Sequence, residues 1–240
     1  MENLIDIKEL LIAVGAQESE IEPEIDGGSF TLVDVNISPI DFLSQAEIDF
    51  EENTKTSLAN CLTNAKRAVV SQIDQILISV GYKSFRFNVP QKLEKLKRLG
   101  VLSPSALRKI VQARNLLEHE YEVFTKDEIE GYLDTASLFV LGMAALFKPY
   151  SDTLHIKLRK DGEIVGYLDC GIHERKSGVF YSIYGFELIK ETPVNRGHAY
   201  VDINTSLFPA LMALGSALEY NYKVTEAIDR VKLSIHDLIK

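Results

Sequence analysis

The sequence predicts an α+β protein: a mainly helical part of four consecutive helices, then a smaller α+β part built on an antiparallel sheet. Three observations carry this. Apolar residues repeat with helical period from residue 41 to about residue 148. After Pro149 the pattern changes to alternation around an Asp161-Gly162 turn. From about residue 205 to the end it is helical again. The expected boundaries are an acidic N-terminal extension over 1–38, a helical bundle over 39–149 and an α+β unit over 150–240.

Residues 3–14 carry Leu4, Ile7, Leu10, Leu11 and Val14 at helical spacing, and Gly15 ends the run. Residues 17–28 are acidic and finish in Asp26-Gly27-Gly28, which reads as a loop. Alternation over 29–37 suggests a short strand. Residues 41–80 form one long helical stretch on Leu58, Leu62, Ala65, Val69, Ile73 and Leu77, with Gly81 as its stop. Asn88 caps a second helix with Pro90 in its first turn, and Gly100 closes it. Ser103-Pro104 opens a third, which runs to about residue 124. Thr125 caps a fourth, where Asp127 and Glu128 suit the positive end of the helix dipole.

Beyond it, residues 153–159 and 164–168 form a hairpin, 173–178 reads as the next hairpin loop, and 179–189 is a β-rich strand. Asn195-Arg196-Gly197-His198 reads as a turn, with a strand at 199–203. The last helical stretch breaks near Asn221.

Composition narrows the function classes. Among 240 residues, 46% are apolar and 25% charged, which is ordinary for a globular chain. Apolar runs fall far short of the roughly 20 residues that span a bilayer. Met1-Glu2-Asn3-Leu4 lacks the basic start of a secretory signal. The two cysteines, Cys61 and Cys170, form neither a disulfide framework nor a zinc set. A reduced, cytoplasmic setting, with no membrane, metal or cofactor, is the expectation.

Net charge is −9, but it is unevenly spread. Residues 1–52 hold fourteen acidic side chains and one basic. Residues 83–114 hold nine basic and one acidic. Within that stretch Lys92, Lys95, Arg98, Arg108 and Lys109 are candidates to meet RNA phosphates, with a solvated helix face as the plain alternative. The acidic arm is expected to shield them.

One segment carries chemistry: Arg114-Asn115-Leu116-Leu117-Glu118-His119-Glu120-Tyr121. At about 100° per residue, Arg114 and Tyr121 lie within about 20° of each other on the stripe of Leu107, Ile110, Val111 and Leu117. An arginine on an apolar stripe needs a partner. Glu118, one turn on, supplies one, and that pair alone accounts for both residues. The other reading places Arg114 in a polar cleft, its fork on a phosphate, with His119 beside it to move a proton near neutral pH.

Arg-x4-His on the third helix of a small bundle, with Asn following the Arg, resembles the HEPN superfamily. The 65–68 helix segment, the 92–99 helix ending in Gly100, and Glu118-His119-Glu120-Tyr121 before an acidic helix start resemble one of its bacterial branches. The resemblance covers about residues 40–148. It implies a homodimer with two motifs facing across a cleft, and metal-independent cleavage of RNA in a toxin or antiviral-defence setting. By position, Arg114 would stabilise the phosphorane, His119 would serve as acid or base, and Asn115 would orient the phosphate or the histidine. Glu118 is not a signature position and is kept as a tuning residue.

Arg114-x4-His119-x-Tyr121 is also similar to HEPN toxins whose tyrosine is modified with AMP by a partner nucleotidyltransferase antitoxin. This chain has no such motif of its own, so that enzyme would be a separate protein. The family also holds non-catalytic nucleotide- or RNA-binding and dimerisation modules, which are the alternative.

Overall fold

A computed structural model of the protein describes residues 4–28, 32–101, 107–113, 124–146, 152–175 and 178–240. It is a mixed α+β fold with a five-stranded antiparallel sheet.

The helical part comprises α2 (Pro39–Glu52), α3 (Lys55–Ser79), α4 (Val89–Arg98), α5 (107–113) and α6 (Lys126–Leu146). The stretch expected as one helix over 41–80 is two, because Asn53 takes a left-handed conformation (φ 52°) and Thr54 restarts the chain. Thr54 and Ser57 form a reciprocal cap, as Ser38 and Asp41 do for α2. α2 and α6 both pack on α3, the central helix. Cys61, Ala65, Val69, Ile73 and Leu77 are fully buried along it. Val69, Ile73 and Leu77 each contribute about 1.5–3 kcal/mol by leaving water.

Several helix ends follow one rule. At α4, Val101 N–H donates to Leu96 O and Gly100 N–H to Lys97 O, with Gly100 left-handed. That six-to-one pattern satisfies the last carbonyls. The same pair of bonds closes α3 at Gly81 and the later helix α7 (Leu207–Glu219) at Asn221. After Asn221 the chain continues as α8 (Val224–Ile239).

The sheet runs β1 (Glu20–Ile25), β2 (Thr153–Lys160), β3 (Glu163–Arg175), β4 (Gly178–Ile189) and β5 (Thr192–Val201), in that spatial order. Residues 20–25 are therefore a strand and not the expected loop. Their glutamates alternate with apolar positions, and Glu22 and Glu24 stand opposite Lys157 and His155 across the ladder. Ion pairs Glu18–Lys160, Glu22–Arg159 and Glu24–Lys157 hold this edge. Pro23 is tolerated because β1 has only one neighbour.

Residues 32–37, expected as a strand, are irregular. Their Val33 lies along α3, exchanging hydrogen bonds with Ser79 and Gln75. The expected turn at 195–198 lies inside β5, where a register shift opposite Gly185/Phe186 absorbs an extra residue. Of the expected loop at 173–178, residues 173–175 end β3 and Gly178 begins β4. The Asp161-Gly162 turn and the break near Asn221 appear where the sequence places them.

One sheet face is apolar. Leu154, Ile156, Leu168, Cys170, Tyr181, Ile183 and Ala199 are buried there. α1 (Ile7–Ala13) packs on it near Gly185, and α7 lies against it through the Tyr181–Phe208 ring contact at 5.6 Å. The N-terminal segment is thus built into the sheet by both α1 and β1. The buried residues of helices and sheet form one continuous cluster that crosses residue 149. Gly100 lies so close to α7 that a Cβ there would sit 2.6 Å from Ala213 Cα.

Candidate functional site

Arg114, Asn115, Glu118, His119 and Tyr121 lie outside the described residues, as does the Ser103-Pro104 start expected for their helix. The flanks are described. In α5, Leu107, Ile110 and Ala113 are buried, while Arg108 and Lys109 face solvent. On the far side Thr125 and Glu128 cap α6 reciprocally, at 2.8 Å from Thr125 N–H to Glu128 Oε2 and 3.3 Å from Glu128 N–H to Thr125 Oγ1. Those bonds to the carboxylate hold the Glu128 pKa below its ordinary value.

The described residues of the basic stretch do not present one continuous surface. Lys92 is 8% exposed and pairs with Asp74 at 2.6 Å, so it is spent on α3 and is not available to a phosphate. Ser84 donates to the same carboxylate. Lys95 sits 4.4 Å from the ring centroids of both Tyr82 and Phe87, a cation held over two aromatic faces. Arg98 and Lys97 end α4 beside the C-terminal helices. Of the acidic arm expected to shield this stretch, Glu18, Glu22 and Glu24 are engaged with β2 instead.

A polar cluster that the sequence reading passed over joins α2 to α3. Asp49 is buried and accepts hydrogen bonds from Gln45 (3.1 Å) and Asn64 (2.8 Å), and Arg67 bonds Asn64 in turn. Their spacing, four residues on α2 and three on α3, was a visible signal. Beside it, burial and the Asp49 charge push the Cys61 thiol up to about 12.

The sheet's second face is aromatic. Tyr167 stacks on Phe186 at 4.7 Å, Tyr184 on His198 at 5.2 Å, and Phe180 meets Tyr200 edge-on at 5.1 Å. His155 bonds Asp169 and lies 5.1 Å from Tyr167. Tyr167, Tyr184 and Phe186 are half-buried. Alternation divides β4 accordingly, with Tyr181 and Ile183 inward and Tyr184 and Phe186 on this second face.

Among the described residues no group of three or more His, Cys, Asp or Glu is placed to hold a metal ion. No helix among them is long and apolar enough to cross a membrane. No model of a known protein family, no curated protein and no solved structure matches the chain.

Proposed function

We propose that the chain is a metal-independent endoribonuclease of HEPN type, acting as a homodimer in a toxin or antiviral-defence setting. The observation that carries this reading is the spacing Arg114-Asn115-x3-His119-x-Tyr121, which follows α5 and precedes α6 in the sequence. The chemistry needs little else. The RNA 2′-hydroxyl attacks the adjacent phosphorus, His119 takes or gives the proton, and the Arg114 fork meets the charge that builds on the phosphorane. Asn115 orients the phosphate. The products are a 2′,3′-cyclic phosphate and a 5′-hydroxyl. Tyr121 would be where a separate nucleotidyltransferase silences the site.

Two features support RNA as the substrate. Arg108 and Lys109 face solvent on the helix that leads into the motif. Half-buried Tyr167, Tyr184 and Phe186 belong to a stacked aromatic face that a base would extend, a contact that tolerates any sequence.

The test is cleavage of end-labelled RNA in EDTA by the full chain, with Tyr121 first shown unmodified by mass spectrometry. Wild type should leave cyclic-phosphate ends. His119→Ala and Arg114→Ala should each lower the rate by about 10²–10⁴-fold. Equal cleavage by the variants, or none by the unmodified wild type, overturns the proposal.

A further inference from the structure

A cavity of about 710 Å³ opens between the end of α4, α6, α7 and α8. That is the size of an ordinary small-molecule site. Its floor is made of small residues: Gly100 and Val101 after α4, Ala213 and Ala217 on α7, and Ala227 on α8. The space stays open because none of these side chains reaches into it. Gly100 approaches Ala213 so closely that even a Cβ has no room at Gly100.

The mouth is basic in an acidic chain. Lys97, Arg98, Lys223 and Arg230 stand against two acids, Glu94 and Glu226. Glu226 is engaged by Lys223 at 3.2 Å, and Glu94 lies 3.4 Å from Arg98. Two positive charges are left over where the whole chain carries −9. Arg230 is half-buried and donates one N–H to the main-chain oxygen of Arg98 at 2.5 Å, which brings the two arginines together. A guanidinium has five N–H donors, so this bond leaves most of them for a ligand. Burial and the Arg98 charge both pull the Arg230 pKa down, while Glu94 acts the other way. An anion seated there would relieve both. Tyr220 and Tyr222 stand beside the charges, 45% and 51% exposed, with flat faces that suit an aromatic ring.

The geometry points to a binding site for an aromatic phosphate of nucleotide size, its phosphate on Arg98 and Arg230 and its ring between the tyrosines and the alanine floor. The residues that line this cavity do not include Arg114 or His119, and the inference stands whether or not the chain cleaves RNA.

The experiment is calorimetric titration of the full chain with AMP, adenosine and inorganic phosphate at low salt. AMP should bind saturably, and adenosine should bind at least about tenfold more weakly, since the phosphate carries the charge contact. Arg98→Gln and Arg230→Gln should each weaken AMP by about tenfold or more. The Arg98 side chain is 64% exposed, so its replacement leaves the fold intact even if the Arg230 variant loses stability. His119→Ala should bind AMP as wild type does. A 5′-phosphorylated triadenylate tells a free nucleotide from the end of an RNA chain: weaker binding than AMP assigns the first, tighter the second, and both keep the phosphate site. No binding of AMP, GMP or UMP at up to about 5 mM, the weak end of specific affinity, overturns the inference. So does adenosine binding equal to AMP, or AMP binding unchanged by the Arg98 substitution or lost in His119→Ala.

Discussion

Leu10 on α1 presses against the backbone of Gly185 on β4 where no larger residue fits. A Cβ on Gly185 would lie 2.7 Å from Leu10 Cδ1 and 2.9 Å from Val14 Cγ1. Gly185→Ala should therefore destabilise by about 1–3 kcal/mol through overpacking. Leu10→Ala should cost about 2–5 kcal/mol through the cavity it leaves. The double variant should fall short of the sum, because the second change makes room for the first. Urea unfolding of the four proteins measures this, and strict additivity would show that the close approach is not the cause.

Both thiols should be silent in the folded protein. Cys61 and Cys170 are 0% and 1% exposed. Burial raises both pKa values, with the charges of Asp49 and Asp169 adding to it. A thiol that stays protonated and covered is a poor nucleophile. Ellman's reagent at pH 8 should find no fast-reacting thiol in the native chain and two after denaturation. Rapid reaction in the native state would mean that α3 or β3 opens.

Stability should fall on the acid side in a way that charge-deleting variants can trace. Glu18 and Glu22 are held low by Lys160 and Arg159, and Asp41 and Glu128 by their helix caps. In each case the folded pKa lies below the unfolded one. The stabilisation is complete above the unfolded values, 3.8 for Asp and 4.5 for Glu, and is lost as pH falls through the lower folded values. The urea midpoint of Asp41→Asn/Glu128→Gln should trail wild type at pH 7 and converge on it toward pH 3. A gap that stays constant down to that pH would refute the assignment.

Local signals marked most helix ends correctly. Asn88 with Pro90, Gly81, Gly100 and Asn221 each act where a cap or a left-handed residue is demanded. What eluded a linear reading was set by partners far away in the chain. Glu20-Ile21-Glu22-Pro23-Glu24-Ile25 alternates, yet its acidity suggests a loop until Lys157 and Arg159 are placed across from it. Arg196-Gly197 looks like a turn because the sheet needs an extra residue there, opposite Gly185. The break at Asn53 hides in an unbroken run because Asn accepts a left-handed backbone without glycine's signature. The Asp49–Asn64–Arg67 cluster was legible as spacing, whereas the Arg98–Arg230 meeting joins α4 to α8 and no local window contains it.

The pairing of β1 with β2 also sets an order of events during synthesis. Ile25 and Leu154 are ladder partners, so more than a hundred residues must leave the ribosome before β1 has anything to pair with. Until then Ile21 and the inward face of α1 are uncovered, and closing so large a loop is entropically slow. The glutamates flanking Ile21 give that waiting segment mutual repulsion between nascent chains. The acidity that reads as a solvated tail thus keeps an edge strand from pairing with the wrong neighbour before its own has been made.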